Sequence, residues 1–242
     1  MGVAVFAYGL LAYAAFLVAA LYAVGFVGNL WVPKGIDSGA PESVATALAV
    51  DLALLGLFAL QHSVMARPAF KAWWTRLVPE PVERSTYVLL SSLLLALLFW
   101  KWQPLRAPVW RIEAFPWRES LYLLCAAGWV IAIASTFMIS HLDFLGLRQT
   151  WLRMKNEPYA APPFVKAMLY RFVRHPIMLG FLLAFWATPD MSAGHFLFAL
   201  ASTAYIFVGI FLEERDLRRA HGAAYEQYMR EASMIVPLPR RK

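Results

Sequence analysis

Apolar residues in this chain gather in long uninterrupted blocks, at about 3–28, 43–65, 86–102, 119–140, 177–188 and 194–212. Roughly 20 helical residues cross the hydrocarbon core of a bilayer, so most of these blocks have the length of a membrane span. The fifth is short. Only Thr188-Pro189-Asp190-Met191-Ser192 separates it from the sixth, a tight turn by composition, so the last two blocks form one hairpin. The pattern predicts an all-α fold: a polytopic integral membrane helical bundle of five to six transmembrane helices with a C-terminal helical hairpin. No repeat of period 20–50 and no low-complexity stretch interrupts it.

Composition agrees with the blocks. The chain has 242 residues, 61% hydrophobic and 15% charged, against roughly 45–50% and about 25% in ordinary globular chains. Met1 to Val27 has no charge and no small-residue cleavage site, so it reads as a retained span rather than a signal peptide. Cys125 is the single cysteine, which excludes a disulfide framework and a Cys-based zinc site. The net charge of +7 comes from basic residues flanking apolar blocks, where they meet lipid headgroups; membrane lipid is the partner this implies, and nucleic acid is not. Most Lys and Arg fall on one side of the spans. With six spans, the positive-inside rule places both termini and the 141–176 loop in the cytoplasm.

Polar residues with chemical potential sit at the ends of the later blocks. Tyr170-Arg171-Phe172-Val173-Arg174-His175-Pro176 leads into the fifth block. Pro176 suits a first helical position, and the N–H groups of a helix starting there, beside Arg174, would receive a carboxylate or phosphate. The alternative makes Arg174 and His175 interfacial anchors. Glu213-Glu214 ends the sixth block, where negative charge opposes the helix dipole. A partner is therefore expected: Arg174 or Arg171 in an ion pair, or a cationic or hydroxyl-bearing ligand. Asp51 and His62 lie eleven residues apart, on one helix face. Ionisable groups within a span point to function by default; the alternative for His62 is an interfacial side chain satisfied by a carbonyl. His141 and Asp143 converge only if their span ends near His141.

Together these residues carry a resemblance. Arg174-His175-Pro176, Gly180, Glu213-Glu214, Leu217, Gly222, Tyr225, Tyr228 and Pro237 resemble the C-terminal signature of the isoprenylcysteine carboxyl methyltransferase superfamily. The stretches 59–68, 83–87 and 140–149 are similar to its NnrU-like branch. The first block carries no matching motif. The resemblance implies a single transmembrane methyltransferase domain over 1–242, with the cofactor-binding part mainly in 141–237. The implied enzyme is a thiol S-methyltransferase of a bacterial inner (plasma) membrane. It would use S-adenosylmethionine and no metal, with Tyr170, Arg174, His175, Pro176, Leu179, Glu213 and Glu214 holding the cofactor. The implied acceptor is a small thiol, methanethiol giving dimethyl sulfide.

Methyl transfer to sulfur needs a thiolate. The candidates for making one are His141 oriented by Asp143, with Arg148 and Arg174 stabilising the anion and His62 as a further catalytic candidate. Trp73, Trp74, Tyr87, Phe144 and Trp151 either close a small apolar pocket or form a membrane belt. Two other readings stay open: the same cofactor with another acceptor (a prenylcysteine carboxylate, another thiol or a lipid amine), or a non-enzymatic accessory or transport protein.

Overall fold

The computed structural model describes residues 2–40, 42–162 and 166–237; the basic residues at 240–242, counted in the expected charge asymmetry, lie outside them. Among the described residues, five helices are long and apolar enough to cross a membrane: α1 (Gly2–Gly28), α2 (Val44–Ala66), α4 (Glu80–Lys101), α5 (Trp117–Met138) and α9 (Ala193–His221). Shorter helices are α3 (Pro68–Trp74), α6 (His141–Phe144), α7 (Leu147–Lys155), α8 (Pro176–Trp186) and α10 (Ala223–Glu231). The chain is thus an all-α, multi-pass membrane protein. Two of the block boundaries move. Helix α4 starts at Glu80 because Pro81 suits a first turn and Glu80 and Glu83 favour the positive dipole end there. Helix α9 runs on past residue 212 to His221 as its charged last turns leave the apolar layer.

The chain forms two compact units, residues 1–107 with 140–163 and residues 108–139 with 164–242. In the first, Tyr8 meets Thr86 while Tyr22 and Phe26 stack near Phe99 at 5.2 and 4.8 Å, so α1 and α4 run in the same direction. Helix α2 runs against α4, since His62 meets Ser91 near one end and Asp51 meets Gln103 at the other. Asp51 is fully buried and accepts the Gln103 N–H at 2.8 Å. A buried carboxylate is costly unless hydrogen-bonded; here it secures the chain as α4 ends. Between α6 and α7, Gly146 adopts φ +87°, and a Cβ there would lie 2.6 Å from the Ser85 nitrogen. That contact, with the Ser85 hydroxyl donating to the Gly146 carbonyl at 3.1 Å, fixes the α6–α7 joint against the first turns of α4.

In the second unit α5 and α8 cross with their backbones touching. A Cβ on Gly180 would lie 2.5 Å from the Ala132 nitrogen, and one on Gly128 would lie 2.6 Å from the Gly180 carbonyl oxygen. Lipid tails are as apolar as the helices, so association in a bilayer depends on such close packing at small residues. Helix α8 has 11 residues, about 17 Å at 1.5 Å each, much less than a hydrocarbon core. Irregular chain at both its ends continues the path, and irregular chain at membrane depth needs protein partners. They are present. Arg174 N–H donates to the Ser233 carbonyl at 2.8 Å, His175 N–H to Met234 at 3.1 Å, and Ser233 N–H to Phe172 at 3.0 Å. At the other end β2 (Asp190–Ser192) pairs antiparallel with β1 (Pro108–Arg111). The segment read as a tight turn therefore holds a short strand whose partner lies far away in sequence.

Gly180→Ala is expected to destabilise the protein by about 1–3 kcal/mol through overpacking, and Gly56→Ala, where a Cβ meets nothing within 4 Å, to be near neutral. Thermal unfolding midpoints of the detergent-solubilised variants check this; equal midpoints would remove the α5–α8 crossing as a packing constraint.

Candidate functional site

In the second unit the site grows from the breaks around α8. Phe172 to His175 runs as bridge-paired chain beside Ser233, and Pro176 occupies the first turn of α8. This places Arg174 and His175 against the C-terminal turns of α9. Arg174 donates from Nε to Glu214 Oε1 at 2.8 Å and holds the same oxygen through Nη2 at 2.8 Å. Its Nη1 donates to the carbonyls of Met229, at 3.2 Å, and Ala232. Glu214 also accepts from His175 Nε2 at 3.1 Å. Arg174, His175 and Glu214 are all buried, at 8%, 6% and 7% exposure.

Of the partners weighed for the two glutamates, Arg174 is the one Glu214 takes; Arg171 turns instead to the Lys166 carbonyl at 3.4 Å. The two glutamates have different surroundings. The Glu213 side chain is 49% exposed and lies 3.6 Å from His175 Nδ1. Successive helical residues are about 100° apart, so Glu214 faces the ion pair and Glu213 faces out beside it.

Tyrosines close the cluster. Tyr228 donates to the Tyr170 carbonyl at 2.6 Å, and Tyr170 to the Ser135 carbonyl at 3.4 Å. Burial pushes the Tyr228 phenol up to about 12. Burial and the Glu213 charge raise Tyr170, and burial and the Glu214 charge raise Tyr225. All three therefore stay neutral donors at physiological pH. Leu179 packs on the cluster of Ile206, Ile210 and Ile235.

The first unit carries the other set. Helix α5 ends at Met138, and Ser140, at φ +87°, starts α6, so the span does end just before His141. Yet Asp143 accepts from Arg148 Nη1 at 2.9 Å and from the Tyr159 hydroxyl at 3.2 Å, while His141 Nε2 is hydrogen-bonded to the Tyr13 hydroxyl at 3.0 Å. Burial pulls His141 below the ordinary histidine value, so its imidazole is neutral at pH 7. Tyr159 is raised by burial and by Asp143.

His62 is held by Tyr87 at Nε2, 2.7 Å, and by Ser91 at Nδ1, 3.2 Å. Arg84 lies over the rings of Tyr87 and Phe144, at 4.9 and 5.0 Å, and donates to the Phe144 carbonyl at 2.7 Å. Met65, Tyr87, Val88 and Leu145 form the apolar core here, with Tyr13, Phe16, Phe70, Trp74 and Phe144 packed on it. Tyr87, Trp74 and Phe144 thus belong to an apolar cluster, whereas Trp151 meets Phe6 of α1.

Tyr13, Tyr159 and the carbonyls of Met229 and Ala232 were not legible as site groups. For Tyr13 a signal exists: Tyr8, Tyr13 and Tyr22 are the only polar side chains in α1, and each has a hydrogen-bond partner. Among the described residues, no three His, Cys, Asp or Glu side chains are grouped as a metal set.

The model of the NnrU protein family matches residues 51–229. Methanethiol S-methyltransferase 2 of Bradyrhizobium diazoefficiens is 53% identical over 237 residues, 97% of this chain and 90% of that protein. Methanethiol S-methyltransferase of Crocosphaera subtropica is 50% identical over 230 residues, 95% of this chain and 90% of that protein. The protein of that name from Mycobacterium tuberculosis is 51% identical over 234 residues, 97% of this chain and 96% of its own length. No solved structure matches.

Removing one partner of a buried pair strands the other charge, at about 3–5 kcal/mol. Arg174→Ala and Glu214→Ala are each expected to lower stability by about that amount, and the double variant by clearly less than their sum. Unfolding midpoints in detergent for the full cycle check this; additive losses would mean the two side chains do not act as a pair.

Proposed function

We propose that this chain, which belongs to the NnrU family, methylates methanethiol to dimethyl sulfide with S-adenosylmethionine as methyl donor. The observation that carries the reading is identity of about half over 95–97% of the chain to proteins named for that reaction. The geometry supports roles for individual residues, assigned separately in each unit.

Donor binding falls to the second unit. Arg174 is already engaged by Glu214 and two carbonyls, so its task is to fix Glu214 and the C-terminal segment. That leaves Glu213, half-exposed beside His175, to take ribose hydroxyls or an ammonium group. The first-turn N–H groups of α8 have no side-chain cap and suit a carboxylate. Tyr170 and Leu179 offer a neutral phenol and an apolar flank. These groups fit an amino-acid nucleoside, and S-adenosylmethionine when bound supplies a methyl group made electrophilic by its sulfonium.

Acceptor activation falls to the first unit. A simple thiol is mostly protonated at neutral pH, and the thiolate is the nucleophile. His141, neutral and buried against Tyr13 and Phe16, takes the thiol proton; the thiolate sulfur then bonds to the methyl carbon as that carbon's bond to the sulfonium breaks, leaving S-adenosylhomocysteine, and His141 later releases the proton to water. Arg148, its charge balanced by Asp143, orders the segment after α6. His62 orients Tyr87. With α8 counted as a crossing, both termini face the cytoplasm of a bacterial inner membrane, where the donor is made.

Headspace analysis of purified protein given methanethiol and S-adenosylmethionine is expected to show dimethyl sulfide; none from protein that binds S-adenosylhomocysteine would place the acceptor elsewhere. His141→Ala should lower kcat by about 10²–10⁴, the usual worth of a general base, with S-adenosylhomocysteine affinity unchanged, whereas Glu213→Gln should weaken that affinity. A base works unprotonated, and the lowered His141 value keeps it so as pH falls. The acid limb of kcat is therefore expected below the ordinary histidine value of roughly 6.5; a limb at or above it would contradict the role.

A further inference from the structure

Helix α1 contributes three hydroxyls, and two of them serve ordinary packing. Tyr8 donates to Thr86 at 3.0 Å and Tyr22 to the Lys34 carbonyl at 3.2 Å. Tyr13 differs because its partner is a titratable ring, His141 Nε2 at 3.0 Å, with the two rings edge to face at 87° and centroids 5.7 Å apart. Phe16 adds a second edge contact at 6.5 Å. On its backbone side His141 is fixed by the left-handed Ser140 and by its carbonyl accepting from Leu145 N–H at 3.1 Å. The imidazole is thus held from the backbone and from Nε2.

We propose that Tyr13 is a positioning residue for His141, its hydroxyl keeping Nε2 hydrogen-bonded both before and after the imidazole takes up the thiol proton. A neutral imidazole has one nitrogen donor and one acceptor, and an imidazolium has two donors. In the tautomer that takes the thiol proton at Nδ1, Nε2 already carries its hydrogen, and the Tyr13 hydroxyl accepts it before and after the transfer. No bond of Tyr13 breaks; the proton moves from sulfur to the imidazole, and Tyr13 accepts the Nε2–H of the charged ring. Hydrogen bonds to charged groups are stronger than neutral ones, so the contact favours the charged ring that forms during turnover.

Other charges around His141 are engaged among themselves. Asp143 is held by Arg148 and Tyr159, and Arg84 from α4 donates to the Phe144 carbonyl.

The inference rests on His141 being the base, so the test carries both variants. In the full-length protein, Tyr13→Phe keeps the ring and loses the hydroxyl. It is expected to leave S-adenosylhomocysteine affinity within twofold, lower kcat at pH 7 about tenfold, and move the acid limb of kcat down by about one pH unit, the equivalent of that tenfold. Combined with His141→Gln it should add no further loss. Tyr8→Phe, which removes a hydroxyl bond from the same helix, should leave the pH profile in place. A wild-type profile in Tyr13→Phe beside an inactive His141→Gln overturns the Tyr13 role and leaves the base intact. An equal shift in Tyr8→Phe overturns it as a packing effect, and full activity in His141→Gln removes the base and the Tyr13 role together.

Discussion

The hydrocarbon layer offers no water, so every buried N–H, carbonyl and charge in it must find its partner within the protein. Charges buried inside protein beyond that layer face the same demand, and the Arg174–Glu214 pair is the clearest case. The guanidinium meets Glu214 with two nitrogens and the carbonyls of Met229 and Ala232 with the third. One side chain thereby ties the entry to α8, the end of α9 and the segment after α10. An uncompensated buried charge would cost several kcal/mol, so three elements are held together by satisfying one ion. The same demand explains the paired backbone of 172–175 with 233–234, because α8 is too short to carry its own hydrogen bonds across the layer.

That requirement also divides the chemistry. A guanidinium committed to a carboxylate and two carbonyls has little left to offer a ligand. Adjacent glutamates on α9 then separate by geometry: Glu214 completes the ion pair, and Glu213, a third of a turn away, keeps a carboxylate that solvent or substrate can reach. His175 stands between them, donating to one and near the other. A buried pair thus fixes the end of α9 while the neighbouring carboxylate of Glu213 stays half-exposed.

How much of this was legible in the sequence follows the range of the interactions. The spans were, because a run of about 20 apolar residues is a local statement about bilayer thickness. The half-length α8 and its hairpin were, through Pro176 and the Thr188–Ser192 turn. The β1–β2 pairing was not, since Pro108 and Ser192 meet only in the fold. In the site, the dipole conflict at Glu213-Glu214 correctly signalled a partner, and sequence left Arg174, Arg171 and a ligand open. The expectation that Asp143 would orient His141 rested on proximity along the chain. In the fold Asp143 also accepts from Arg148 on α7 and from Tyr159, which returns from the following loop, partners that sequence spacing did not name. Tyr13 was passed over because α1 has no charged residue, and its three phenols, Tyr8, Tyr13 and Tyr22, carry no local pattern that names their partners.

His62 is a half-buried histidine turned toward α4. Its ring is held from both nitrogens by α4 and stacks on Phe58 at 5.2 Å, a setting that fixes orientation. From Tyr87 the contact passes to Arg84, which lies over both the Tyr87 and Phe144 rings and bonds the Phe144 carbonyl. Phe144 closes α6, the four-residue helix that begins with His141. A hydrogen bond between α2 and α4 is therefore connected, through one cation held between two aromatic faces, to the short turn that presents the imidazole. Cation–π contacts strengthen when desolvated, so the apolar cluster around Met65 and Leu145 supports this connection as well as packing the core. In this arrangement His62 and Tyr13 act on the same turn from opposite directions, one through Arg84 on the backbone at Phe144 and the other directly on the ring of His141.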